Sequence, residues 1–398
     1  MNSSYTALNS QRGLWNRDFV ATCLSSFFLF LTFYVLAVTL PVFVTDTLHG
    51  GMNQIGLVTT VFMISTVLFR PIAGVWLDRF NRRKIMFFSL ALFMGSAALY
   101  PFIHQFYTLL GLRFLQGIGF GIAATATGAI AVELVPVDRK GEGVGYFSLF
   151  MSLAMVVGPF VGLRVMELHN DNLLFGMCFV CALLSFVCGI SVRIPAYIHV
   201  KKEAAAKGWR RFIEIGAIPI SITGSLLAFS YGSITTFLSV YAKQIGLSSF
   251  ASYFFIVFAL MIVLSRPFTG RLFDRSGPNI LVYPGIILFA IGMIGLSVAH
   301  TSTIFLISAG VIGLGFGALL PSYQTIAIQS SAPHRGGMAT GTYFLMFDSG
   351  YAIGSYALGV VAAQTSYRVM YLITAIVVAC SAAVYYGLYH RRSRLQQS

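Results

Sequence analysis
The chain has 398 residues, of which 57% are hydrophobic and 10% charged, with a mean hydropathy of +0.81 and a formal net charge of +14. A water-soluble domain carries about 25% charged residues, so this chain cannot cover a water-facing surface and is expected to be an all-α, polytopic membrane protein. Its positive charge does not mark a nucleic-acid binder, because no basic face is interleaved with stacking aromatics.

Residues 1–18 are polar, and the apolar run that follows is too long for a signal-peptide core and lacks a clear small-residue cleavage site. It reads as the first membrane helix. At about 20 apolar residues per span, the pattern predicts twelve helices, at 19–43, 54–76, 85–103, 106–133, 141–163, 173–193, 213–241, 249–270, 280–299, 303–328, 338–363 and 367–389. Basic residues follow the even-numbered helices: Arg79, Arg82, Arg83 and Lys84; Arg139 and Lys140; Lys201 to Arg211; Arg271 and Arg275; Arg335; and Arg391 to Arg394. The opposite connections hold only Arg164, Lys243 and Arg368. Both termini are therefore expected in the cytoplasm, with the chain in the cell membrane.

The polar stretch 194–211 separates an N-terminal six-helix bundle, 1–193, from a C-terminal one, 212–398. The two halves repeat. FRPIAGVWLDRFNRRK, from Phe69 to Lys84, returns as SRPFTGRLFDRSGPNI, from Ser265 to Ile280, at an offset of 196 residues. Gly117, Gly119, Phe120 and Gly121 map at the same offset onto Gly313, Gly315, Phe316 and Gly317, as do Gly145 and Gly158 onto Gly341 and Gly354. One register held from helix 2 to helix 5 marks a duplication, and a duplicated membrane bundle is a transporter layout.

Each copy of the motif contains Arg-Pro-x-x-Gly-x-x-x-Asp-Arg: Arg70, Gly74, Asp78 and Arg79 in the first, Arg266, Gly270, Asp274 and Arg275 in the second. A carboxylate at a helix C-terminus opposes that helix's dipole and calls for a cation or another helix's N-terminus. Asp78 is expected to meet the glycine-rich start of helix 11, and Asp274 that of helix 5. Such contacts would latch the halves on the cytoplasmic side. A purely topogenic basic loop is the other reading. Asn81 and Gly277, at equivalent positions, both suit a left-handed turn.

These motifs resemble those of the major facilitator superfamily. Gly74-x-x-x-Asp78-Arg79 with Arg82, Arg83 and Lys84 is similar to its motif A. Arg113-Phe114-Leu115-Gln116-Gly117-x-Gly119 is similar to motif B, and Gly158-Pro159-x-x-Gly162 to motif C of the drug:proton antiporters. Asn81 stands where a glycine is usual, and Leu163 follows Gly162 where a further glycine is common. The resemblance covers nearly the whole chain and implies the major facilitator fold, two pseudo-symmetric six-helix bundles. Tyr231-Gly232 and the run Tyr343 to Asp348 are similar to the arabinose-efflux-like and opine-metallophore exporter branch.

Arg113 lies inside an apolar helix, where an unpaired charge costs a few kcal/mol. It must face a wet cavity, meet a partner or snorkel to the interface, and the resemblance favours a part in proton relay. Asp348 lies midway along helix 11 with no basic residue close in sequence. A carboxylate shielded from water takes up a proton more readily. Asp348 is therefore either a proton carrier or a neutral residue hydrogen-bonded to Tyr343 or Ser349. The resemblance also implies that helices 1, 4, 7 and 10 line a central cavity, which makes Tyr34, Gln116, Tyr231, Thr235, Tyr323 and Gln324, with Tyr343 on helix 11, candidates for substrate contact. Their hydroxyls can equally bond their own helix backbone. Gly145, Gly158, Pro159 and Gly162 make helix 5 thin and bendable, as a hinge or as a packing seam.

The five cysteines all sit in apolar runs, and Cys178 with Cys181 reads as core packing rather than a redox or metal pair. No cofactor or metal is expected, no phosphate-binding loop points to ATP, and no nucleophile–base or paired-carboxylate signature points to an enzyme. The expected function is a proton-coupled exporter of small organic molecules such as drugs or polar metabolites, working by alternating access, as a monomer. A facilitator or importer without proton coupling is the alternative on the same fold.

Overall fold
A computed structural model of the protein describes residues 15–135, 140–168, 170–193, 213–331 and 336–391. They form twelve long helices: α1 (Arg17–Asp46), α2 (Met52–Arg79), α3 (Arg82–Ala98), α4 (Phe106–Leu134), α5 (Lys140–Met166), α6 (Asp171–Ser191), α7 (Ile218–Gln244), α8 (Ala251–Ser276), α9 (Asn279–Ser297), α10 (Ser302–Gln329), α11 (Gly336–Gln364) and α12 (Tyr367–Tyr385). Each has a stretch long and apolar enough to cross a membrane. The expected linker, 194–211, lies outside the described residues.

Local chemistry sets the ends. Asn170, Thr301 and Ser366 cap α6, α10 and α12, each accepting a backbone N–H of the first turn. The expected span 85–103 divides: α3 stops at Ala98, and Tyr100–Phe102 tightens into a 3₁₀ turn whose Pro101 has no N–H to continue an α-helix. Gly277 ends α8 at φ 77. Asn81 departs from the left-handed expectation. Its backbone is extended (φ −64, ψ 112), and its side chain caps α3 by accepting from the backbone N–H of Arg83 and Lys84.

The chain forms two compact units. One contains the described residues up to Thr39 and from Ile64 to Arg193, and the other Leu40–Met63 with those from 213 onward. The second unit therefore includes the end of α1 and the start of α2, a pairing with the C-terminal half that the sequence repeat does not show.

The duplication is visible in the packing inside each unit. In the first, Phe120 of α4 gathers Phe30, Phe33 and Phe93, with ring centroids 5.0, 5.2 and 6.2 Å away. In the second, Phe316 of α10 gathers Tyr231, Phe258 and Phe289 at 4.6, 5.7 and 6.2 Å. Close helix contacts repeat at the 196-residue offset. A Cβ on Gly119 would lie 2.9 Å from the backbone N of Phe93, and one on Gly315 would lie 2.7 Å from that of Phe289. Only glycine allows those backbones to approach so closely.

Candidate functional site
At the end of the first unit where α2 turns into α3, Arg82 is buried. Its Nε donates to the Leu77 carbonyl at 3.0 Å, and its Nη1 donates to Glu133 at the end of α4. One guanidinium thus joins three helices. The side chains of Asp78, Arg79, Arg266 and Asp274, and the surroundings of Gly270, lie outside the described residues. Of the remaining expected latch positions, Arg70 is partly buried, Arg275 is exposed, and a Cβ on Gly74 would meet no described atom within 4 Å.

Arg113 is fully buried in the first unit and has partners there. Its Nη1 donates to Gln116 Oε1 at 2.7 Å, and the same oxygen accepts from the Tyr100 hydroxyl at 2.6 Å. Tyr100 in turn stacks on Phe175 of α6, with centroids 5.2 Å apart and planes at 22°. Gln116, expected in the substrate cavity, is therefore part of the Arg113 network. Nothing in the sequence pattern singled out Tyr100, since it sits beyond the end of α3.

The α5 glycines divide into two kinds. A Cβ on Gly158 would lie 2.6 Å from Tyr34 Cβ, and one on Gly162 would lie 3.1 Å from side-chain atoms of Val35 and Thr39. These two, flanking Pro159, press α5 against α1. Gly145, by contrast, would gain no described neighbour within 4 Å.

In the second unit a polar seam joins α7 and α11. Thr235 is hydrogen-bonded to the Tyr351 hydroxyl, Thr236 Oγ1 lies 3.3 Å from Ser355 Oγ, and Thr60 of α2 donates to the Ala352 carbonyl at 3.0 Å. Tyr231 stacks on Phe316 and sits 6.0 Å from the Tyr351 ring. Tyr351 was not singled out in the sequence, although it lies three residues after Asp348 and so on the same helical face. Asp348 itself is half-buried. Ser349, one of its two expected partners, donates instead to the Leu345 carbonyl at 2.7 Å. The hydroxyl of Tyr343, the other, is buried without a hydrogen-bond partner among the described residues.

Of the expected cavity residues, Tyr34 and Gln324 are partly exposed, while Gln116, Tyr231, Thr235, Tyr323 and Tyr343 are buried within their own units. Many helix-7 hydroxyls bond their own backbone: Ser225 to Ile222, Ser230 to Leu226 and Ser233 to Ser230. All five cysteines are free thiols. Among the described residues no cluster of His, Cys, Asp and Glu is arranged to hold a metal.

The family model described as Major Facilitator Superfamily matches residues 22–355 and 251–397. The chain belongs to the Major Facilitator Superfamily. Relatives within this superfamily include the multi-drug resistance efflux pump PmrA of Streptococcus pneumoniae serotype 4, 27% identical over 365 residues, spanning 86% of this chain and 88% of the pump. Multidrug resistance protein MdtG of Salmonella paratyphi B is 25% identical over 397 residues, spanning 95% and 96%. Among solved structures, a bacterial homolog of the human lysosomal transporter Spinster, inward-facing and occupied, superposes with a TM-score of 0.76 at 13% identity, over 94% of this chain and 96% of its own. The nucleoside transporter NupG superposes with a TM-score of 0.70 at 15% identity, over 92% and 98%. The protein is thus a multi-pass membrane transporter of small-molecule substrates with the major facilitator fold, not an enzyme.

Proposed function
We propose that the protein is a proton-coupled exporter of small organic molecules, drugs or polar metabolites, in the cell membrane, working by alternating access with both termini in the cytoplasm. The observation that carries the reading is the position of Asp348. Among carboxylates whose side chains are described, it alone lies midway along a membrane-spanning helix, half-buried and one turn from the α7–α11 seam. The others sit at helix ends or connections, several of them paired, as Glu133 with Arg82, Asp46 with Lys243 and Glu167 with Arg164. A half-buried carboxylate can exchange its proton with a substrate-dependent change in hydration.

In this reading Asp348 is the proton-coupling group. Arg113, held rigidly by Gln116 and Tyr100, is a fixed charge that tunes the pathway. Asp78 and Asp274 with their neighbouring arginines form the conformational latch, and Gly158, Pro159 and Gly162 form the seam that flexes. Tyr34 and Gln324 offer substrate contacts, joined by the buried residues when the helices rearrange. Export is supported by relatives named as a multi-drug resistance efflux pump and a multidrug resistance protein, which align over most of their own length. Each chain encloses its own pathway, so the protein works as a monomer.

The test is proton release from purified protein in weak buffer on adding candidate lipophilic drugs and polar metabolites. Wild type should release protons, and Asp348→Asn should bind without release. Release that survives the substitution would remove Asp348 from the carrier role. Binding without release in wild type would favour a facilitator.

A further inference from the structure
At the end of the second unit where α9 begins and α12 ends, the helix geometry changes. Tyr386–His390 form a π-helical turn, closed by the Arg391 N–H donating to the Tyr386 carbonyl five residues back. Such turns are rare and interrupt regular α-helical bonding. In an α-helix His390 would lie about 140° round the axis from Tyr385. The wider turn brings both residues onto α9, with their rings 6.5 Å apart. The Tyr385 hydroxyl donates to Asn279 Oδ1 at 2.8 Å, Asn279 Nδ2 lies 3.5 Å from His390 Nε2, and His390 Nδ1 lies 2.8 Å from the Tyr283 hydroxyl.

These bonds fix where the protons sit. With its oxygen on Tyr385, Asn279 presents to Nε2 an NH₂ group, which only donates. Nε2 is therefore the acceptor, and a neutral imidazole carries its one proton on Nδ1, donated to Tyr283. A second proton, on Nε2, would set N–H against N–H. The amide can turn over, but its NH₂ then faces Tyr385, whose own O–H is fully buried and loses its acceptor. The rings of Tyr283, Tyr385 and Tyr386 lie 5.8, 6.5 and 5.5 Å from the imidazole and would attract an imidazolium. At a half-exposed site that pull is smaller than the cost of a buried orphan donor. The other ionisable groups around the turn are Tyr389, and Tyr323 of α10 behind Tyr385. The start of α7, which packs on the turn, has none from Ile218 to Gly224. Flanking charges are Glu214, buried ahead of α7, and the exposed Arg275 and Arg391. None of the described carboxylates bonds the imidazole.

We propose that His390 is a proton-sensitive latch, holding the end of α12 against α9 while neutral and releasing it when protonated. Histidine takes up its second proton between about pH 8 and pH 5, so docking is favoured at the upper end of that range and lost toward the lower. On the proposed topology this end faces the cytoplasm, and the latch answers acid there whatever the protein transports.

The test is hydrogen exchange of the purified full chain in detergent, from about pH 8 to about pH 5.5, over residues 386–391 and corrected for the intrinsic rate at each pH. Protection in wild type should fall about fivefold or more. His390→Gln cannot gain a charge and should show no such fall. Asn279→Asp gives the imidazolium a carboxylate acceptor, so its protection should hold in acid. Helix α6, in the other unit, should stay unchanged throughout. Wild-type protection independent of pH, an equal fall in His390→Gln, or a fall shared by α6 would overturn the latch. A fall that persists in Asn279→Asp would overturn the donor clash as its cause.

Discussion

At the residue scale, the firmest statements concern charges taken out of water. Arg82 stands in the sequence as one of several basic loop residues, and a solvated topogenic role is its simplest reading. The structure buries it and gives it Glu133 and a backbone carbonyl as partners. Its burial was not legible, because charge counts show which side of the membrane a loop occupies but not which of its cations folds inward. Glu133→Gln keeps the shape and removes the charge, leaving the Arg82 guanidinium with a weaker acceptor. A hydrogen bond to a charged group is worth about 1.5–3 kcal/mol, and Glu133 is half-exposed, so the loss should fall at the low end of that range. The measurement is thermal stability in detergent, with Arg83→Gln as an exposed control. An unchanged melting temperature in Glu133→Gln would show that water replaces the carboxylate without cost.

At the element scale, the duplication makes glycine positions interpretable in pairs. Gly158 presses α5 on α1 through Tyr34 and Leu31. Gly354, 196 residues later, presses α11 on α7, where a Cβ would lie 2.3 Å from the Phe229 carbonyl oxygen. Side chains at these two sites must overpack the seam, at about 1–3 kcal/mol or more. A Cβ on Gly145 would meet no described atom within 4 Å, so Gly145→Ala should be neutral or stabilise α5 by up to about 1 kcal/mol. Gly158→Val and Gly354→Val should therefore lower folded yield and melting temperature while Gly145→Ala does not. Equal tolerance at Gly158 and Gly145 would refute the packing assignment. The helices themselves were legible nearly to their ends, since twenty apolar residues between polar turns leave a membrane chain few alternatives. Side-chain facing was less legible. Helices apolar on every side have almost no moment to show which residues look inward, so Tyr231 and Thr235 gave no sign that they turn into their own unit toward Phe316 and Tyr351.

At the scale of the whole molecule, the compact units divide the chain inside helices rather than only at the linker. The boundary falls within α1 between Thr39 and Leu40, and within α2 between Met63 and Ile64. Periodicity cannot reveal this, because it reports one continuous helix whatever each end packs against. Were the units to move against each other, part of that movement would be absorbed within these helices. In α1 the sequence supplies a weak point two residues past the boundary: Pro41 lies inside the helix and has no N–H for the Ala37 carbonyl. The second unit grips the stretch beyond it, through Lys243 on Asp46 and through Gly56, where a Cβ would lie 2.4 Å from the Ser355 carbonyl oxygen. If transport proceeds by alternating access, Pro41 is where α1 yields. Pro41→Ala restores one helical hydrogen bond and removes the ring's clash, so amide exchange over residues 42–45 should slow and the melting temperature should hold or rise. The transport rate should fall several-fold while substrate affinity is retained, because the substitution stiffens the chain without touching a candidate substrate contact. A Pro41→Ala protein that transports at the wild-type rate despite slowed exchange would place the yielding segment elsewhere, with α2 near Met63 as the next position to stiffen.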